Sequence, residues 1–277
     1  MQYILSNKEF ELFRKLIYKT SGINLTSSKK ELVKARLSKR LTKTGINSFK
    51  NYYKFITNED KNGDELINLL DCISTNKTEF FREKKHFDFL NNKVLPDLIS
   101  KKEKEKSKKI RIWCAASSTG EEPYSLAISI YNHINPNNSW DVKILATDIS
   151  TKVLQKAIKG TYKRDSLKDI PPAIVNAHFS RAVIDNSYYF IVKDHLKKTI
   201  IFRRFNLMTK NFPFNNLFDF IFCRNVMIYF DSDTQHGLIS KFYDCLPKDG
   251  YFFIGHSETL TNKTHGFKYI QPAVYQK

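Results

Sequence analysis

KIRIWCAASSTGEEPYSLA, residues 109 to 127, is the stretch on which the fold turns. An apolar run, IRIWC, gives way to a small polar loop, ASSTG, and then to Glu-Glu-Pro at the head of a helix from Pro123. That order is the strand-to-helix entrance of nucleotide sites in doubly wound α/β proteins, where a glycine-rich turn lets phosphates approach a helix N-terminus. This loop offers a single glycine, Gly120, and sets Glu121 and Glu122 where a phosphate would want positive charge. A cationic ligand containing adenosine but no phosphate, such as S-adenosylmethionine with its sulfonium and ammonium, suits that crevice better. Favourable charge in the first turn of a helix is a competing account of one of the two glutamates.

Working outward, strands and helices alternate after the Lys/Glu run SKKEKEKSKK (100 to 109), which reads as a solvated helix end or loop. IRIWC is followed by VKILATD, a helix from Thr151, IIFRRFNL, FDFIFCRNVMIYF, a helix from Asp233 and GYFFIG. This pattern predicts a parallel sheet with helical crossovers. Two stretches depart from it. Residues 179 to 203 read as short strands forming a small antiparallel insert, and GYFFIG with FKYIQPAVYQ predicts a closing hairpin. In such a sheet the ligand crevice lies at the carboxyl ends of the strands. The polar residues there are Ser117, Thr119, Gly120, Glu121 and Glu122, then Asp148, then Asn206 with Leu207, then Arg224 with Asn225. Asp148 could accept from both ribose hydroxyls of an adenosine, or cap the helix from Thr151, a role Ser150 also offers.

Upstream, the first 75 or so residues carry few strand signals. Phe10, Phe13, Leu16 and Ile17 recur at helical spacing, as do Val33, Leu37 and Leu41, and then Phe49, Tyr52, Tyr53 and Ile56. An all-α domain over 1–75 is expected, then a linker over 76–109 with a helix beginning near Glu79, then the α/β domain over 110–277. Residues 28 to 45 carry seven cations (Lys29, Lys30, Lys34, Arg36, Lys39, Arg40, Lys43) against Glu31, either a solvated helix face or a docking face for an acidic partner.

The composition bounds the rest. The 277 residues are 41% hydrophobic, enough for a buried core. Cys72, Cys114, Cys223 and Cys245 are far apart with no ligand spacing, so neither a disulfide framework nor a metal site is expected. With no run of 18 apolar residues and a charged N-terminal stretch, the chain reads as cytoplasmic, without a signal peptide or membrane span. A net charge of +18 points to nucleic acid, an acidic surface or an acidic protein, or to lysines scattered for solubility.

STNKTEFFRE (74 to 83), ASSTGEEPYSLA (116 to 127), ATDIS (146 to 150), FRRFNL (202 to 207), FCRNVMIYF (222 to 230) and GHSE (255 to 258) stand in one order along the chain. Together they resemble the CheR family, the chemotaxis receptor glutamate methyltransferases. The resemblance implies a Rossmann-like class I methyltransferase domain, with a mostly parallel seven-stranded sheet and the β insert, behind the helical domain. It implies transfer of methyl from S-adenosylmethionine to receptor glutamates, with S-adenosylhomocysteine as product. It assigns cofactor contacts to Asn76, Thr78, Arg82, Glu122, Asp148, Asn206, Leu207, Arg224 and Asn225, and sets Arg82 and Tyr229 beside the transferred methyl. The implied partner is the cytoplasmic domain of methyl-accepting receptors, met as a monomer through Arg36, Lys39 and Arg40, with neither nucleic acid binding nor membrane insertion. The insert matches the subdomain that docks a receptor C-terminal peptide in some relatives, but lacks the loop glycines those relatives carry. The competing readings are an RNA or other protein methyltransferase with the same cofactor fold, and a catalytically silent module. Amine methylases often carry Asn/Asp-Pro-Pro-aromatic after strand four, where this chain reads CRNV.

Overall fold

The computed structural model describes residues 3–135, 139–260 and 265–277. Four helices open the chain: α1 (Asn7–Ser21), α2 (Lys30–Thr44), α3 (Phe49–Lys54) and α4 (Asp64–Ile73). Ser6 caps α1 through a reciprocal capping box with Glu9, satisfying N–H groups that the helix cannot. Phe13, Ile17, Val33, Leu37, Leu41, Phe49 and Tyr52 close a separate apolar core, as their helical spacing predicts.

Thr75–Glu83 is not helical, and the linking helix begins at Lys84 rather than near Glu79. Phe81 and Glu83 adopt left-handed backbone conformations (φ 52° and 60°), which stops a helix from forming across them. From there α5 (Lys84–Phe89) runs through one wide turn (Leu90–Val94) into α6 (Leu95–Lys104). The Lys/Glu run is thus helical to Lys104, and one of its lysines is structural: Lys102 Nζ lies 2.8 Å from Asp219 Oδ1.

The α/β domain follows: β1 (Lys109–Ala115), α7 (Glu121–Tyr131), β2 (Asp141–Asp148), α8 (Thr151–Lys159), β3 (Thr161–Lys163), α9 (Pro172–His178), β4 (Phe179–Ile184), β5 (Ser187–Val192), α10 (Asp194–Lys197), β6 (Ile200–Arg204), β7 (Phe220–Cys223), α11 (Ser232–Asp244), β8 (Tyr251–Phe253), β9 (Lys268–Gln271) and β10 (Val274–Gln276). The main sheet has seven strands in the order β6-β2-β1-β7-β8-β10-β9. The first five are parallel, and β10 runs antiparallel to both neighbours. Alternation in β1 feeds both faces: Ile110, Ile112 and Cys114 enter one core, Trp113 and Ala115 the other.

The insert is a three-stranded antiparallel sheet, β3-β5-β4. Its expected bounds, 179 to 203, need correction at both ends. β3 lies before them, and Ile200–Arg204 belongs to the main sheet beside β2. The β4–β5 turn uses Asp185 and Asn186, both left-handed (φ 47° and 55°). Asp and Asn tolerate that conformation, so a tight hairpin forms without glycine.

Candidate active site

The crevice is assembled from loops at the carboxyl ends of β1, β2, β6 and β7, the extended linker, and the α1–α2 connection of the helical domain. In the loop after β1, Ala116 and Ser118 both have positive φ (61° and 48°), strain of the kind that gathers at functional sites. Gly120 answers to packing: a Cβ there would lie 2.8 Å from Tyr162 Oη and 2.9 Å from Ala157 Cβ. Its role is to let α7 approach α8 and β3, and no phosphate cradle is needed to explain it. The two glutamates separate. Glu121 turns to Thr119 Oγ1 (2.6 Å), whereas Glu122 lines the crevice.

Glu122 is bound up with the far side of the sheet. Its Oε2 accepts from Arg224 Nη1 at 2.9 Å, and Cys114 Sγ lies 3.1 Å from Oε1. Arg224 has a side chain only 1% exposed and reaches further, donating from Nη2 to Glu83 Oε2 (2.8 Å) and to the Arg82 carbonyl (2.6 Å). Glu83 also accepts from Asn225 Nδ2 and from the His256 N–H. Burial pushes its carboxyl up, but the Arg224 charge and these donors prevail and hold it down to about 2. For Glu122 burial prevails over Arg224, and its pKa is raised. Asp148 is raised as well, by burial, although the Ser118 and Ser150 N–H groups (2.9 Å each) favour its charged form. Ser150 caps α8 by accepting from the Val153 N–H, which leaves Asp148 free of capping its first turn.

Every residue assigned to the cofactor lines this crevice: Asn76, Thr78, Arg82, Glu122, Asp148, Asn206, Leu207, Arg224 and Asn225. Tyr229 joins them, half-buried rather than packed in the core. Asn206 carries a second duty, donating from Nδ2 to the Thr20 carbonyl (2.6 Å) while Oδ1 accepts from the Met208 N–H. The Tyr229 carbonyl accepts from the Asn24 N–H, and Tyr18 Oη donates to Asp231 Oδ2 at 2.5 Å. The helical domain thus forms part of the crevice wall, with Ser21, Ile23, Asn24, Leu25, Lys29 and Leu32. Sequence reasoning missed that wall, because no periodicity reports which loop of one domain meets another. It also missed Glu83, although the residue sits within a quoted motif.

The residues expected to dock a partner stand elsewhere. Arg36 donates to the carbonyls of Ile73 and Ser74 and to Thr75 Oγ1. Arg40 forms a two-point ion pair with Glu65, which also accepts from Tyr52 Oη (2.6 Å). Both guanidinium groups therefore fasten α2 to α4 and its end, and Lys39 is the exposed member of the three.

One ligand atom from each of Glu83, His86 and His256 falls within 4.8 Å of the others. Both oxygens of Glu83 are already held by Arg224, Asn225 and the His256 N–H, so Glu83 is a charged buttress behind Arg224, with the neutral His86 ring beside it. Among the described residues no helix is long and apolar enough to cross a membrane.

The family model for the CheR methyltransferase all-alpha domain matches residues 8–74, and that for the CheR methyltransferase SAM binding domain matches 76–275. The chain is 44% identical over 275 residues to the chemotaxis protein methyltransferase of Borreliella burgdorferi, covering 99% of this chain and 95% of that protein. It is 35% identical to chemotaxis protein methyltransferase 2 of Pseudomonas aeruginosa, covering 99% and 94%. With the chemotaxis protein methyltransferase of Escherichia coli K12 it shares 35% identity over 98% of this chain and 91% of that one. Matched along nearly its whole length by these models and relatives, the chain belongs to the CheR methyltransferase family and is an S-adenosylmethionine-dependent methyltransferase of chemotaxis.

Proposed function

We propose that the protein esterifies glutamate side chains of methyl-accepting chemotaxis receptors, acting as a cytoplasmic monomer on their cytoplasmic domains. The observation that carries this reading is a gradient of charge along the crevice. At its inner end Glu122 and Asp148 outnumber the single lining cation Arg224, whose guanidinium is already paired with Glu122 and, behind the crevice wall, with Glu83. At its rim stand Lys29, Lys77 and Arg82. A cation is favoured within and a carboxylate at the mouth, the order required to bring a sulfonium methyl to a glutamate.

The residues present fit the cofactor. Asp148 would accept from ribose hydroxyls, and Glu122 with Glu83 would offset the cationic amino-acid end beside Arg224, whose Nε is buried with no partner among the described residues. Bound there, S-adenosylmethionine supplies an electrophilic methyl group. The protein's task is positioning. A glutamate is ionised near neutral pH, so no general base is needed. Arg82, half-buried and anchored at Nη1 to the Lys77 carbonyl (3.0 Å), would hold the carboxylate with a donor that cannot lose its charge. Tyr229 would pack beside the transferred methyl. Desolvation of an anion next to a cation and alignment of the reacting atoms supply the rate.

Methyl-labelled cofactor and receptor-containing membranes test the reading. Counts on the receptor band released by mild alkali as methanol are expected, because carboxyl methyl esters are alkali-labile. Alkali-stable counts would replace it with an amine or RNA methyltransferase, and cofactor binding without transfer to receptors would replace it with a silent module.

A further inference from the structure

The segment GHSE (255 to 258) follows β8. Its glutamate, 7% exposed, grips the neighbouring loop by the backbone. Glu258 Oε2 accepts from the Asn225 N–H at 2.9 Å and the Gly255 N–H at 2.5 Å, and Oε1 accepts from the Ile228 N–H at 3.3 Å. The Glu258 N–H itself returns to the Gly255 carbonyl at 2.9 Å. Gly255 is required by the fit. A Cβ there would overlap Asn225 Nδ2 and lie 2.8 Å from the Asn225 backbone nitrogen.

What is gripped lies in the active site. Asn225 has φ 57°, a left-handed conformation that a non-glycine residue keeps only when its surroundings impose it. Ile228 is the middle residue of the short 3₁₀ turn Met227–Tyr229, which delivers Tyr229 to the crevice. Glu258 does not itself line the crevice. A buried carboxylate with three N–H donors is costly to place and rigid once placed, since every donor would otherwise stand unpaired.

We propose that Glu258 is a positioning residue for methyl transfer, holding Asn225 and the Tyr229 turn in register with the cofactor crevice while touching neither reactant. The proposal rests on the function proposed above for that crevice. Its test compares the full-length chain with Glu258→Gln, Glu258→Asp, Tyr229→Phe and the Glu258→Gln/Tyr229→Phe pair. Each is assayed well below its unfolding midpoint, with the folded fraction measured by circular dichroism. Gln keeps the shape but turns an amide donor toward donors. It should lower turnover on receptor membranes about 100-fold at saturating cofactor, the scale of a small misplacement of reacting groups. S-adenosylhomocysteine affinity should fall about tenfold, and amide exchange should quicken across 225–228. Tyr229→Phe should cost little more in the Gln background, because both act through one turn. A turnover loss that merely follows the unfolded fraction, or losses that multiply in the pair, would reduce Glu258 to a structural cap. If the wild type methylates no receptor, the proposed function fails by itself. Affinity and exchange then decide the inference, and unchanged values in both Gln and Asp would overturn it.

Discussion

Arg224 and Arg40 are both held in enclosed ion pairs and serve different ends. Each guanidinium is largely enclosed and paired with a carboxylate that a second group also holds. Arg40 closes the helical domain on itself through Glu65, away from the crevice; Arg224 closes the crevice, joining the linker's Glu83 to Glu122 on α7. A paired buried arginine is thus neutral evidence for function. Its position relative to the crevice decides what its loss removes.

The largest effect should separate the two. Arg224→Met leaves Glu83 and Glu122 buried without their cation, a class of change that costs about 3–5 kcal/mol, and it alters the crevice wall directly. We expect S-adenosylhomocysteine affinity to fall more than about 100-fold, roughly 2.7 kcal/mol, alongside the loss of stability. Arg40→Met should destabilise to urea by about 3 kcal/mol yet leave affinity within about twofold when assayed folded. Titration calorimetry on both variants breaks the comparison if Arg40→Met weakens the cofactor as much as Arg224→Met does.

Arg82 sharpens it at the crevice mouth. Its guanidinium is anchored through a single carbonyl and is only half-buried, so Arg82→Ala should cost little stability. If it holds the substrate carboxylate, turnover should fall about 100-fold while cofactor affinity changes by less than about fivefold. Normal turnover in Arg82→Ala would remove it from the chemistry.

Much of this is legible in the sequence. Strand ends carry the crevice in any doubly wound sheet, so Glu122, Asp148, Asn206 and Arg224 could be picked out by place alone. The fold was legible for the same reason: the two faces of β1 and the helical faces of α1 and α2 are written in alternation of apolar residues. Partners were not legible. Nothing in SKKELVKARLSKR says that Arg36 is engaged by the end of α4 whereas Lys39 is exposed, because both stand on a polar face by periodicity. The linker misled for a backbone reason, since helical side-chain spacing in TEFFRE cannot report the left-handed residues that keep it extended. Glu258 escaped because its ligands are backbone N–H groups, which leave no trace in side-chain pattern.

A smaller effect lies in pH. Burial first, and then the Arg224 charge, lower the His86 pKa from 6.5 to about 3, so folding keeps the ring neutral. Between those values the unfolded chain binds the extra proton, and stability must fall as pH drops. Glu83, held at about 2 against an ordinary 4.5, adds a loss of the same sign below pH 4.5. His86→Phe removes the first contribution while retaining a ring beside Phe253. Unfolding in urea from pH 6.5 to 5 should show the wild type losing up to about 1.4 kcal/mol per pH unit more than the variant. Equal slopes would mean that His86 takes up no proton on unfolding in that range.

The smallest effect returns to α2, where the docking reading must now rest on the exposed Lys39, because charge reversal at Arg36 or Arg40 would break internal ties before it tested a surface. A single exposed charge steers a partner over about one Debye length, ~10 Å at 0.1 M salt, and mainly changes the rate of encounter. Lys39→Glu should therefore slow receptor methylation by about two- to threefold at low salt, with turnover at saturating receptor unchanged and the difference gone near 1 M. A loss that persists at high salt would assign Lys39 a direct contact instead of a steering charge. No loss at low salt would leave the exposed lysines of α2 as a solvated face, and would place recognition of the receptor at the crevice rim, where Lys29, Lys77 and Arg82 already stand.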